Sequence, residues 1–468
     1  MAREAYDILI VGTGAGGGTV LWRLCERLAK EQLRIGIIEA GDLVVPTHTQ
    51  NLPTYNVDDV ANMWRNPKYV KYYRTNAASG AVPIPIDFQQ PIIFGGGMVH
   101  WGTTSIRMDP VDLAEWPVSI REMNYYYKIA ERIMNVTRRV AAGSSVQEVM
   151  LQRLRENGFP EATDIPMAVD FTATQNGRIN SSFFFSSILL IARALNLHSF
   201  DLAVKARVTR VLVENGRVSG IEAMSRDKKP YTLRAKTVVL SAGTFGNPHI
   251  LLHSGVGGNA VGHYLANHST VDSFLKVQRS AFAEVSGISR VLIPRSADRS
   301  YQFLLFGGDY YQPFKIKPLS DEWRIWLGAH GKVQSRYENK VTLDPVRRNE
   351  YGIPDLQISF SYSEEDMEII SEMAAASVLV ASALKMPVSG EGEVCLRHPG
   401  GENHEMGTCR MGENPETSVT DRFGRIHGIL GLFAADNSVL PTSGTANPTL
   451  STVALAIRTA DYISEQLK

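Results

Sequence analysis

Apolar residues recur with two different periods along the chain, and the changes of period mark its elements. An unbroken apolar run over 6–11 leads into a glycine cluster, apolar positions at three and four spacing up to residue 30, and a second apolar run over 34–39. Strand, helix and strand are the expected opening. From 46 to 91 Asn, Pro and Tyr crowd the sequence and periodicity fades, which predicts a long excursion or lid. Helical spacing returns over 117–157. Strand alternation follows over 204–213, 218–223 and 237–241, with Glu214-Asn215-Gly216-Arg217 as a hairpin turn between the first two. Between 268 and 363 several β-like runs broken by turn residues predict an antiparallel sheet, and helical spacing closes the pattern over 364–384 and 449–467.

A chain of 468 residues exceeds what one core usually supports, so two or three domains, interleaved in sequence, are expected. Lys plus Arg (48) balance Asp plus Glu (48), which leaves no basic field for a nucleic acid. Three cysteines form no disulfide or zinc framework. His427, His330 and the acids around them show no ligand spacing, so no metal is implied. No apolar run reaches membrane-span length and nothing ahead of the first strand has room for a signal peptide. A soluble cytoplasmic protein without a membrane span is the expectation.

Gly12, Gly14 and Gly17, with Thr13 and Ala15 between them, form G-x-G-x-x-G at a strand-to-helix turn. Bare backbone there lets a pyrophosphate approach the helix N-terminus, and Glu39, closing the next strand, is placed to hold a ribose hydroxyl. FAD and NAD share this signature. Four further segments decide between them: "IIFGGGMVHWG", "VVLSAGTFGNPHILLHSGVG", "NHEMGTCRMG" and "LFAADNSVLPTSGTANPTLSTVALAIRTADYI". With the glycine loop, and in this order, they resemble the glucose-methanol-choline (GMC) oxidoreductases, FAD enzymes acting on alcohols. The His-Trp pair, "ANPTL" and "ENKVTLDPVRRNEYGIP" are most similar to the bacterial sugar dehydrogenase and pyranose oxidase branch.

The resemblance implies a fold and a site. The fold is α/β plus antiparallel β: a Rossmann-type FAD-binding domain (three-layer ββα) interleaved with a substrate domain built on an antiparallel sheet with helices. The FAD-binding domain is expected at 1–45, 80–115, 195–265 and 400–468, a lid at 46–79, and the substrate domain at 116–194 and 266–399. Gly96, Gly97, Met98, Val99, His100 and Trp101 are expected against the flavin, with a covalent tether at His100 left open. Val208 matches a backbone contact to adenine, and Ala242 and Gly243 a close approach to the dinucleotide. Asp436 and Asn437 are expected on ribityl or diphosphate-linked groups, with helix capping by Asp436 as the alternative. Pro448 and Thr449 open the last helix at the cofactor.

Oxidising an alcohol requires a base near the hydroxyl and an acceptor near the carbon. His404 matches the family's catalytic histidine and Asn447 its partner; a loop histidine and a helix cap are the alternatives. The implied reaction takes a sugar-like or aminosugar alcohol to an aldehyde or ketone by hydride transfer to the flavin, with oxygen or a soluble acceptor as oxidant. Trp64, Tyr73, Tyr310, Tyr311, Trp323 and Trp326 are candidate substrate platforms, and His398 a secondary candidate for which a surface loop is preferred. A non-redox lyase and a silent flavin-binding protein stay open. The chain is short for the family, which implies a trimmed substrate domain or cap and either an open pocket or one completed within a homo-oligomer.

Overall fold

In the computed structural model, residues 5–52, 57–73, 85–170, 184–278, 280, 287–308, 322–388 and 394–467 are described. The opening forms as the apolar pattern dictates: strand Ala5–Val11, helix Ala15–Arg27 and strand Ile35–Ile38. Strands buried on both faces read as continuous apolar runs, and Ile8, Leu9, Ile10, Ile35 and Ile37 are all but inaccessible. These strands sit inside a seven-stranded mixed sheet. Its order is Phe200–Ala203, Ile35–Ile38, Ala5–Val11, Pro230–Leu240, Arg217–Ser225, Ala206–Glu214, with Leu432–Ala434 also on Pro230–Leu240.

Register decides where a site can form. Val11 pairs with Ile38 and Leu240, Ile38 with Ala203, and Leu240 with Ala434, all parallel. The carboxyl ends of five parallel strands therefore finish level, and the residues that follow them converge on one edge, where open α/β sheets bind ligands. The antiparallel hairpin Ala206–Ser225 turns through Asn215 (φ 50°) and Gly216 (φ 72°), the left-handed pair that a two-residue turn needs. Helix Ala15–Arg27 packs against Thr449–Gln466 and Ser187–Leu195, uniting the two ends of the chain in the largest core.

A second sheet is antiparallel throughout, in the order Val394–Leu396, Ser269–Gln278, Glu322–Gly331, Tyr301–Gly308, Ile288–Ile293, Thr163–Asp164. Side chains alternate across it. Val271, Leu275, Val291, Phe303, Leu305, Ile325 and Leu327 pack on helices Ser145–Glu156 and Glu364–Leu384, while Thr270, Asp272, Gln302 and His330 share the opposite face.

The expected excursion after residue 46 carries helix Val57–Arg65 and the antiparallel ladder of Val70–Tyr73 with Phe88–Pro91, whose buried Phe88 and Tyr73 serve a local core. Helix Glu364–Leu384 also has the length and hydropathy of a membrane span. It begins in a Ser363/Asp366 capping box and buries Ile370, Met373, Val380 and Leu384 in the core of the second sheet, as an amphipathic cover helix does.

Candidate active site

The convergent strand ends open into a cavity of about 550 Å³, in the range of small-molecule and cofactor sites of ~300–1,000 Å³. Gly12, Thr13, Gly14, Ala15, Glu39, Gly96, Gly97, Met98, His100, Trp101, Val208, Ala242, Gly243, Asp436, Asn437, Thr449, His404 and Asn447 all line it. Three expected residues do not. A Cβ on Gly17 would meet the Gly12 carbonyl oxygen at 1.9 Å, so this glycine serves helix-to-strand packing. Val99 is buried in a small cluster with Val45, Met63 and Ile93, and Pro448 caps the last helix behind the cavity wall.

At one end the walls are built for a dinucleotide. Gly12 has φ 101°, and a side chain on it would strike the Ser241 carbonyl oxygen at 2.2 Å. The Glu39 carboxylate is buried and accepts from Thr13 N (3.0 Å), Thr13 Oγ1 (2.6 Å) and Gly41 N (2.7 Å). Thr13 Oγ1 also accepts from Gly95 N at 2.8 Å, which ties the first glycine loop to the second. Gly14 and Gly96 face each other across bare backbone, a Cβ on Gly14 lying 3.8 Å from Gly96 Cα. This cradle of exposed backbone, a helix N-terminus and a buried carboxylate fits FAD: Gly12–Ala15 would take its diphosphate, Glu39 a ribose and Gly96–Met98 its ring system.

Asp436 takes the capping role given as its alternative. Its Oδ1 accepts from Ser438 N and Oγ and its Oδ2 from Gly243 N and Asn247 Nδ2, at 2.6–2.9 Å. Four donors engage the carboxylate, so it locks the loops together at the cavity wall, which it lines together with Asn437. Val208 lies on the outermost strand, just beyond Ala206, whose N–H donates to the Glu39 carbonyl.

At the other end His404 Nε2 lies 3.2 Å from Asn447 Nδ2. Asn447 does not cap the last helix; its amide reaches the imidazole instead, and its Oδ1 is buried without a partner. His404 in turn contacts His268, Nδ1 to Nδ1 at 2.9 Å, and His268 Nε2 reaches the Ser443 carbonyl at 3.3 Å. His330 stands beside both with its two ring nitrogens buried and unpartnered. One nitrogen from each of His268, His330 and His404 lies within 4.8 Å of the others, a grouping of the kind that can hold a metal ion. Ligand spacing in the sequence could not reveal it, because the three come from three separate segments. Burial drives His404 well below the ordinary histidine value, with His268, His330 and the Arg397 guanidinium pushing the same way. Burial also raises Glu402 to about 7 and Glu405 to about 8, and both line the cavity without having been singled out in the sequence.

His100 reaches the cavity with Nδ1 3.3 Å from Thr49 Oγ1 and its ring 4.8 Å from that of Trp64, which also lines the cavity. Tyr73 is core, its hydroxyl donating to Gln90 Oε1. Trp326 donates to Asp272 on the inner face of the second sheet, whereas Tyr310, Tyr311 and the Trp323 side chain lie outside the described residues. His398 is half exposed beside Asp87, as a surface-loop residue would be, and His427 bonds Ser418 and is not a member of the histidine cluster.

Two family models described as GMC oxidoreductase match this chain, at residues 86–270 and 335–456. A C-glycoside 3-oxidase of Arthrobacter globiformis is 26% identical over 80% of this chain and 74% of its own. A 2-methyl-1,2-propanediol dehydrogenase of Mycolicibacterium austroafricanum is 25% identical over 99% and 96%. The crystal structure of pyridoxine 4-oxidase from Mesorbium loti superposes with a TM-score of 0.71 at 17% identity, covering 98% of this chain and 99% of that one.

Proposed function

Because the chain belongs to the GMC oxidoreductase family, FAD-dependent oxidases and dehydrogenases of alcohols, we propose that it oxidises a hydroxyl of a sugar-like substrate with His404 as base and Asn447 as its partner. The observation that carries this is the His404 Nε2 to Asn447 Nδ2 approach of 3.2 Å on the cavity wall. A hydroxyl bridging the two would give its proton to His404 Nε2 and accept from Asn447 Nδ2. Burial keeps His404 neutral at physiological pH, so the nitrogen lone pair is available without prior deprotonation. Bound FAD supplies the hydride acceptor for the carbinol carbon. The polar character of the substrate is supported by the glycoside and the diol in the relatives' names and by the buried polar atoms of Asn447, Glu402 and Glu405 on the cavity wall.

The test is anaerobic addition of a panel of sugars, glycosides and diols to the purified holoprotein. One member should bleach the flavin bands, and His404→Ala should keep the bands but lose the bleaching. Turnover that leaves the flavin oxidised throughout would refute the redox reading, and an unimpaired His404→Ala would refute the base. Oxygen uptake against dye reduction then separates oxygen from a soluble acceptor.

A further inference from the structure

His268 lies outside the cavity lining, and nothing in the proposed reaction uses it directly. Its place is set by backbone pairing. Ala266 and Met406 exchange two N–H···O bonds of 2.9 Å as an antiparallel bridge. Two residues on from one and two residues back from the other, the same register sets His268 opposite His404. Gly407, at φ 94°, packs this bridge so tightly that a Cβ there would meet the Tyr264 carbonyl oxygen at 2.4 Å.

The hydrogen bonds of this pair have only one consistent assignment of protons. A carbonyl oxygen can only accept, so the 3.3 Å contact from His268 Nε2 to Ser443 O puts a proton on Nε2. A neutral imidazole carries one ring proton, and burial holds His268 at about 4, so its Nδ1 presents a lone pair. The 2.9 Å contact between the two Nδ1 atoms then needs its proton on His404. His404, neutral as well, is left with its lone pair on Nε2, where the Asn447 amide donates at 3.2 Å.

We propose that His268 is a positioning residue that reads the Ser443 carbonyl and, through its own tautomer, holds His404 in the form whose Nε2 can accept the substrate proton. This rests on His404 being the base. The alternative tautomer of His404 would point an N–H at the substrate hydroxyl and a lone pair at that of His268 Nδ1, losing the base and one hydrogen bond together. Once His404 has taken the proton at Nε2, its Nδ1–H still donates to His268, so the pair stays bonded throughout. The groups facing the pair are His330, Arg397, Asn447 and the Ser443 and Gly444 carbonyls.

The two substitutions that separate positioning from packing are His268→Phe, which fills the space without either hydrogen bond, and His268→Gln, whose Oε1 and Nε2 can accept from His404 and donate to Ser443. His268→Phe should lower kcat by about 10²-fold, the lower end of what a positioned base contributes, with KM and flavin content little changed. His268→Gln should recover to within about threefold of the parent. Equal losses in both variants, or no loss in either, would overturn the proposal. Should His268→Phe fail to fold, ¹⁵N-histidine spectra of the unmodified holoprotein decide, with the His404 signals assigned by their disappearance in His404→Ala. Protonated Nδ1 with bare Nε2 supports the assignment, and protonated Nε2 overturns it. A His404→Ala variant that still turns over would fault the base assignment alone, since the spectra report the tautomer whatever His404 does in turnover.

Discussion

Adding one methyl group at Gly16 tests how the first helix is seated against the end of the chain. A Cβ there would lie 1.7 Å from the Ala435 carbonyl oxygen and 2.8 Å from its carbon. The obstacle is backbone, so the helix N-terminus or the segment after strand Leu432–Ala434 has to retreat by about 1.3 Å to reach a separation of 3.0 Å. Overpacking of this kind costs about 1–3 kcal/mol. With an unfolding entropy of about 2.1 cal/mol/K per residue, that lowers the Tm of a chain this long by only about 1–3 °C. Cofactor affinity should suffer more visibly, because the displaced walls are those that would grip FAD: if they lose 1.4–2.8 kcal/mol of fit, Kd rises by about 10–100-fold. Gly14→Ala is the control. Its φ of −69° suits any residue and the nearest atom to its Cβ is 3.8 Å away, so the apoprotein should melt within about 1 °C of the parent while FAD binding still weakens through the blocked approach of the diphosphate. Calorimetry of flavin-stripped protein and a fluorescence titration with FAD measure both. A Gly16→Ala apoprotein with parental Tm and Kd, or a Gly14→Ala apoprotein as destabilised as Gly16→Ala, would refute the packing reasoning.

Glu39→Ala removes the acceptor for Thr13 N, Thr13 Oγ1 and Gly41 N; with buried donors costing about 1–3 kcal/mol each when orphaned, purified protein should carry little flavin and melt several degrees lower, and full flavin content would contradict the role assigned to this carboxylate. His404→Ala should cut the rate of flavin reduction by about 10²–10⁴-fold with the visible spectrum retained, as stopped-flow mixing would show. Because the pKa of His404 is lowered, the acid limb of kcat/KM should lie below pH 6.5, and a limb at or above 7 would indicate another base. Stability should also fall on acidification. His48, His249 and His268 are held near 4 and His330 and His404 well below 6.5, so between pH 6.5 and 4 the unfolded chain binds protons that the folded one refuses, each adding up to about 1.4 kcal/mol per pH unit to the slope. His100 and His263 are lowered in the same sense, whereas Glu39, Asp112, Glu402, Glu405 and Asp436, all raised by burial, act in the opposite one, seven histidines against five carboxylates; a Tm that rises from pH 6.5 to 5 would show the histidines are not buried neutral.

What could be read from residues alone was local. The strand, glycine turn, helix and strand that carry Gly12, Gly14 and Glu39 follow one another without interruption, and each residue type has one backbone or charge reason to be there. The Asn215-Gly216 hairpin was legible for the same reason. His404 and Asn447 were singled out through the segments that carry them, but nothing in their spacing says that they meet. Tertiary structure alone decided that meeting, the engagement of the Asp436 carboxylate by four donors, and the tight seat of Gly16 under Ala435. It alone gathered His268, His330 and His404, which the chain keeps more than sixty residues apart, through the bridge of Ala266 to Met406 and the register of Thr270 with His330. Periodicity reports which face of an element is buried, whereas the partner across that face is chosen by sheet register and loop closure, and those depend on residues far away in the chain.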